Sequence, residues 1–199
     1  MSFNYLGYDV LSAAENMQKD IAILKAITTD VFLRLYSWTD TCVTFGYNQK
    51  EDTVKSLVGK LNINTHEFVR RPTGGGLVVH ERKNLAWSLF VPVDIFAKKS
   101  LLGFYYELSN VYADLLQDCG INCSLIKSAR KEFQKKRIND VCLDYPAKYE
   151  LIDENGNKLI GSAQKKTKSC LIQQNNLFIK EPREFREKLV QSLFKYFTK

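Results

Sequence analysis

Residues Arg70 to His80 read Arg-Arg-Pro-Thr-Gly-Gly-Gly-Leu-Val-Val-His, between an apolar entry at Glu67, Phe68, Val69 and a second apolar run. Three consecutive glycines let the backbone turn where no Cβ obstructs a ligand, and a run of bare amides can form a nest for a phosphate or carboxylate. Two arginines just upstream supply fixed charge of the matching sign. In an extended segment they point to opposite faces, so only one of them is expected to enter a pocket. A glycine-rich hairpin with surface arginines satisfies the same pattern.

Other reactive side chains are sparse. The five cysteines (Cys42, Cys119, Cys123, Cys142, Cys170) are odd in number, scattered and without a CxxC pair, and there are only two histidines. Neither a disulfide framework nor a zinc site is expected. Cys119 and Cys123 flank Gly120 and read as small buried hydrophobes. His80 suits a base or a structural hydrogen-bonder equally.

The whole segment Arg70 to Pro92 resembles the signature of the lipoate-protein ligase and octanoyltransferase family, an RR-x-[ST]-GGG-x-V-x-H block followed by a strand. A second block, Lys158-Leu159-Ile160-Gly161-Ser162-Ala163-Gln164, is similar to the family's K-[IV]-x-G-S-A block with its essential lysine. Two blocks in the right order are specific, and weaker matches at Ser37 to Gln49 and Arg137 to Asp140 carry the resemblance over most of the chain.

The resemblance implies a pocket for an activated acyl group, with Arg71, Gly74, Gly75, Gly76, Leu77, Val78 and Val79 in the binding segment and Asp140 at an adenylate site. Tyr47 or Asn48 would border it. Gly161, Ser162 and Ala163 would let an octanoyl or lipoyl tail pass close to the backbone. Lys158 would place positive charge on the phosphate of an acyl-adenylate or on an acyl carbonyl. As a turn-adjacent lysine it is expected to contribute little to folding.

Two chemistries fit. A ligase would use ATP, Mg²⁺ and lipoate through acyl-AMP. A transferase would take the acyl group from an octanoyl-carrier thioester onto Cys142, since Cys142 to Leu151 is similar to the stretch around the nucleophile of the cysteine-dependent octanoyltransferases. Gly76 favours the ligase, because those transferases often carry a larger basic residue there. Gln173-Gln174-Asn175-Asn176 departs at all four positions from the family's His-His-Gly-Thr-like segment. The acceptors implied are lipoyl carrier domains of 2-oxoacid dehydrogenase complexes or the glycine-cleavage H protein. The sequence ends at Lys199 without the accessory C-terminal domain of many ligases, which a separate protein could supply. Outside the family, a non-catalytic acyl-binding or nucleic-acid-binding module is the competing class.

The elements that must position these residues follow from periodicity and punctuation. At 199 residues and 45% hydrophobic, one domain over 1–199 can bury its own core. No apolar run spans a bilayer and the start lacks a signal pattern, so a cytoplasmic location is expected. The net charge of +7 is not laid out as an aromatic-interleaved stripe, which argues against nucleic acid; the family resemblance implies another use for a basic face, steering of acidic carrier domains. Its densest run is Lys127 to Arg137.

Val10, Ala14, Met17, Ile21 and Leu24 predict a helix over about Leu11 to Ile27 with its charges, Asp20 included, mainly elsewhere. Val31 to Trp38 and Thr41 to Phe45 predict a strand pair. Asp52 to Leu61 predicts a short helix capped by Asp52 or Thr53. Strands are expected at Glu67 to Arg71, Leu77 to His80 and, centrally, Asn84 to Val91. Ser100 to Cys119 predicts a long helix stopped by Gly120, with a strand at Asn122 to Leu125. A hairpin with a type I′ turn at Asn155-Gly156 would hold Lys158 beyond its tip. A strand at Cys170 to Ile179 and a closing helix from Pro182, with stripe Phe185, Leu189, Leu193, Phe197, complete the list. The class is α+β, a mainly antiparallel sheet with flanking helices, as in the catalytic domain of biotin-protein ligases.

Overall fold

A computed structural model describes residues 2–27, 29–97, 99–127 and 148–199. Asp140, Cys142, the Arg137 to Asp140 match and all but the start of the Lys127 to Arg137 run lie outside the described residues. In chain order the elements are β1 (Phe3–Leu11), α1 (Ala13–Ala26), β2 (Val31–Trp38), β3 (Cys42–Phe45), α2 (Glu51–Lys60), β4 (Phe68–Arg70) and β5 (Val78–His80). These are followed by β6 (Ala86–Pro92), α3 (Leu101–Asp118), β7 (Ser124–Leu125), β8 (Leu151–Ile152), β9 (Lys158–Lys166), β10 (Cys170–Leu177) and α4 (Phe185–Phe197). No helix among the described residues is long and apolar enough to cross a membrane.

Seven strands form the main sheet in the order β1-β2-β6-β10-β9-β8-β7, and β4-β3-β5 form a small second one. Only β1 with β2 and β3 with β4 run parallel; the other pairs are antiparallel, so the α+β expectation holds. β6 is central, as its two apolar faces require, lying between β2 and β10. One of those faces, with Leu33, Leu35, Trp87, Leu89 and Leu171, joins Leu108, Tyr112 and Leu115 of α3 and the stripe Phe185, Leu189, Leu193, Phe197 of α4 in the largest core cluster. The other face looks toward α1 and the small sheet, and it carries the cleft described below.

Several local expectations change. β2 and β3 are not a pair but belong to different sheets. At Trp38 the chain does not fold back: Thr39 N–H donates to Leu11 O (3.1 Å), and the Asp40 side chain accepts from Thr41 N–H (2.7 Å), redirecting β3 toward β4 and β5. Val10 is no helix residue; it is half exposed on the edge strand β1. Ser12 caps α1 in a reciprocal box with Glu15, so the helix begins at Ala13. Its inward residues are Ala13, Asn16, Met17, Asp20 and Leu24.

Elsewhere, Lys50 stands at the N-cap of α2 without a side-chain cap bond, in place of Asp52 or Thr53. In the β8–β9 hairpin Gly156 has φ +83° and Asn155 is not in the positive region, which excludes a type I′ turn. The Asp153 carboxylate organises that turn instead, accepting from the N–H of Asn155 (2.9 Å) and Asn157 (2.7 Å). α4 starts at Phe185, three residues after Pro182, behind Glu184 in the left-handed region.

Asp20 and Arg34, both fully buried, form the largest departure from a solvated α1 face. Arg34 donates from Nη1 to Asp20 Oδ1 (3.0 Å) and to Asn16 O (3.3 Å), and from Nε to Asp9 Oδ2 (3.0 Å). Burial pushes the Asp20 carboxyl above the usual carboxylate range, with Ser88, Arg34 and Gln174 pulling it back. Removing the cation strands a buried acid, so Arg34→Met is expected to cost about 3–5 kcal/mol in urea unfolding. Lys19→Met, which breaks only the exposed pair with Asp9, should cost under about 1 kcal/mol.

Candidate acyl-binding site

The strand registers set the floor of a cleft. Tyr36, Ala86, Asn176 and Gly161 align in one row across β2, β6, β10 and β9, and Arg34, Ser88, Gln174 and Ala163 in the next. Side chains of one row share a face. Small residues at Ala86, Gly161 and Ala163 leave the floor low, and from β2 to β9 it runs three strand spacings, about 14 Å. Tyr36 and Trp38 line one end of the cleft, while Gly75, Arg71, Val78, His80 and Thr44 form its roof, with Met17 entering from α1. Such a slot is apolar along its length and polar at a few points, the usual character of a small-molecule site.

Arg71 and Arg70 diverge. Arg71 is buried and donates from Nη1 to Thr44 O and Oγ1 (2.9 Å each) and from Nη2 to Gly74 O (3.1 Å) and Gly76 O (2.8 Å). Its charge is thus spent on shaping the glycine turn from within, where an isolated reading of the motif directs it at a ligand. Arg70 is exposed and donates to Tyr47 O (2.8 Å) and Gln49 O (2.6 Å). Gly75 needs its glycine, with φ +91°. Gly46 needs its own for another reason: a Cβ there would sit 1.9 Å from Gly75 O.

His80 is fixed in one neutral tautomer. Nδ1–H faces Asn176 Oδ1 (2.9 Å), so Nε2 accepts from the Thr44 hydroxyl (2.7 Å), which in turn accepts from Arg71. Burial, then the neighbouring Arg71, lower its pKa to about 3, against a weaker opposing pull from Asn176. Trp38 stacks on the ring at 4.0 Å between centroids. With both nitrogens engaged, the imidazole is a strut of the roof.

Lys158 opens β9 and is buried, its Nζ 2.7 Å from Glu150 Oε1, itself buried. The solvated, turn-adjacent lysine read from the sequence is therefore corrected, because the hairpin folds its side chain inward over Gly161. A Cβ on Gly161 would meet Lys158 Cε at 2.9 Å and Nζ at 3.2 Å, which places the ammonium beside the cleft.

The remaining expected residues divide. Val78, Gly161, Ser162 and Ala163 line the cleft. Gly74 and Gly76 act through the carbonyls that Arg71 reads. Leu77 is fully buried with Val43, Phe45, Val54 and Val58, and Val79 packs on the same cluster, so both anchor the turn to α2 away from the cleft. Tyr47 lies in an adjoining open groove with Lys25, Arg70, Lys165 and Lys168, which no carboxylate lines among the described residues; Arg71 borders both spaces. Met17, Tyr36, Trp38, Gly46, Thr73 and the pair Gln174 and Asn176 were missed. Three of these carried a signal: Thr73 is the [ST] position of the glycine block, Gly46 is a glycine inside a strand-rich segment, and the Gln-Gln-Asn-Asn run is four polar residues in a strand.

Comparison with known proteins agrees with this architecture. A crystal structure of lipoate-protein ligase A bound with ATP superposes with TM-score 0.75 at 17% identity, covering 100% of this chain and 86% of that one, a likeness of fold. The curated octanoyltransferase LipM of Brevibacillus brevis is 28% identical over 190 residues, 89% of this chain and 66% of the relative. That of Carboxydothermus hydrogenoformans is 31% identical over 186 residues, 90% of this chain and 65% of the relative. The chain thus spans slightly less than two thirds of the length of these relatives. The family model for the lipoyl protein ligase A/B catalytic domain matches residues 12–193, and the chain belongs to that family.

Proposed function

We propose that residues 1–199 act as one catalytic domain that transfers an octanoyl or lipoyl group to a lysine of a lipoyl carrier domain, by way of a thioester on Cys142. The observation that carries the reading is the slot of small residues, Ala86, Gly161 and Ala163, roofed by the Arg71-braced glycine turn with Lys158 at its side. The sequence alone favours the ATP-dependent ligase through Gly76. The names of the curated relatives support the transferase instead.

In this reading the Cys142 thiolate attacks the carbonyl of an acyl-carrier thioester, forming a new C–S bond as the carrier leaves as a thiolate that takes up a proton. The acceptor amine then attacks the enzyme thioester, the C–S bond breaks, and the amide forms as the amine proton is lost and Cys142 is released. The Lys158 ammonium supplies positive charge where the carbonyl oxygen becomes an oxyanion. The other four cysteines are poor nucleophiles: burial pushes the thiol pKa of Cys170 up to about 11 and raises those of Cys42, Cys119 and Cys123 as well. The basic groove beside the cleft suits the acidic surface of a carrier domain.

Transfer is checked by incubation with a lipoyl domain and an octanoyl-carrier thioester without ATP, read by the mass of the acceptor. Cys142→Ser should stop turnover and the build-up of a hydroxylamine-sensitive acyl-enzyme. Full ATP-dependent lipoate attachment by that variant would return the protein to the ligase reading.

Because Lys158 is paired, its removal must be separated from instability. Lys158→Met alone should cost about 3–5 kcal/mol by breaking its buried pair with Glu150. Lys158→Met with Glu150→Gln should recover most of the melting temperature yet transfer at least about a hundredfold more slowly. A double variant with near-normal transfer would remove Lys158 from the chemistry.

Lys165→Glu with Lys168→Glu should slow the transfer rate several-fold at low ionic strength. The difference should shrink above about 0.1 M salt, where exposed charges are screened beyond roughly 10 Å. An effect independent of salt would place carrier docking elsewhere.

A further inference from the structure

A triple glycine has the widest backbone freedom of any tripeptide, so a turn that must present its amides in one arrangement needs anchors outside itself. Arg71 braces its carbonyls and Leu77 seats its exit in the core cluster on α2. The entrance is held by Thr73, which is fully buried. Its carbonyl accepts from Tyr47 N–H (2.9 Å), and its hydroxyl donates to Gln174 Oε1 (2.7 Å), one hundred and one positions away in sequence.

Gln174 could present either end of its amide to Thr73, and the buried Asp20 decides which. Asp20 Oδ2 accepts from Gln174 Nε2 (2.8 Å) and also from Ser88 and Tyr36, while Oδ1 accepts from Arg34. With the amide nitrogen turned toward the acid, the amide oxygen faces Thr73. Gln174 also lines the cleft, but both ends of its amide are engaged with protein, so it acts on the turn and offers the acyl group its methylenes. This gives one member of the unusual Gln-Gln-Asn-Asn run a task.

We propose that Asp20, Gln174 and Thr73 form a positioning chain, in which the buried acid on α1 orients the Gln174 amide and the amide pins the entrance of the glycine turn for acyl binding. The inference rests on the acyl-transfer reading for its functional meaning, while its structural content stands in the free protein. None of the three residues touches the reacting atoms; they act through Gly74 to Gly76.

Two measurements separate these levels. In ligand-free protein, backbone ¹⁵N order parameters of Gly74, Gly75 and Gly76 should fall from about 0.85 to below about 0.6 in Thr73→Val, which removes the hydroxyl at nearly constant shape. Thr73→Ser, which keeps the donor, should restore them. In acyl transfer, Thr73→Val should lower kcat/KM at least about tenfold, and adding Gln174→Met should lower it little further, because the two side chains share one bond.

If Thr73→Val does not fold, Gln174→Asn, one methylene too short to span from Asp20 to Thr73, carries the same expectations. Order parameters unchanged from wild type in a folded variant overturn the positioning chain. So do fully additive kinetic losses. Loosened glycines in a protein that transfers no acyl group would leave the chain standing and reject the functional reading beneath it.

Discussion

A single buried guanidinium holds the cleft in shape. Arg71 reaches from the entrance of the glycine turn to the carbonyls of Gly74 and Gly76 on one side and to Thr44 of β3 on the other. The turn, the small sheet and the His80 strut are therefore one hydrogen-bonded unit, laid over the floor of the large sheet. Gly46 completes it by letting the chain pass against Gly75 O where any side chain would collide. The geometry inverts the simplest account of an arginine beside glycines. The cation is an internal brace, and the binding surface is what the brace leaves exposed.

Because the brace depends on Thr44 as much as on the motif, residues far apart in sequence share the duty of forming one roof. Asn176 orients His80, His80 Nε2 accepts the hydrogen bond of the Thr44 hydroxyl, and Thr44 accepts from Arg71. Such a network is stiff when every donor and acceptor is matched and costly when one is lost. On the opposite face of the sheet Trp87 and Tyr112 pair inside a mostly apolar core. Layered in this way, the main sheet has one face given over to stability and the other to the cleft.

The fold class, the central position of β6, both long helices and the closing apolar stripe were legible in the sequence, because each rests on local periodicity or a short-range stop signal. What was not legible depends on partners distant in sequence. Nothing in Asp20 itself announces that it is buried, since its partner Arg34 lies on another element and both look like surface charges. The separation of β2 from β3 was hidden by a short polar linker that reads as a hairpin turn and instead hands the chain to a second sheet. Lys158 was found through its motif, but its burial was not, because Glu150 becomes its partner only once β8 and β9 pair. The four polar residues of β10 read as a departure from the family pattern, and in the fold each of them is buried with hydrogen-bond partners of its own outside β10.

The neutral His80 has a consequence for how the protein tolerates acid. Its pKa of about 3 in the fold compares with about 6.5 in an unfolded chain, so between those values the unfolded state takes up a proton that the folded state refuses. Above about pH 6.5 both states leave the ring neutral, and the linkage is silent. As pH falls below that point the unfolded chain gains roughly 1.4 kcal/mol for each unit, down toward the folded value. The fold thereby begins to lose stability as the pH drops below about 6.5, before ordinary carboxylates have started to titrate. A ring held neutral as a strut thus makes the fold sensitive to mild acid through the same imidazole that Trp38 covers.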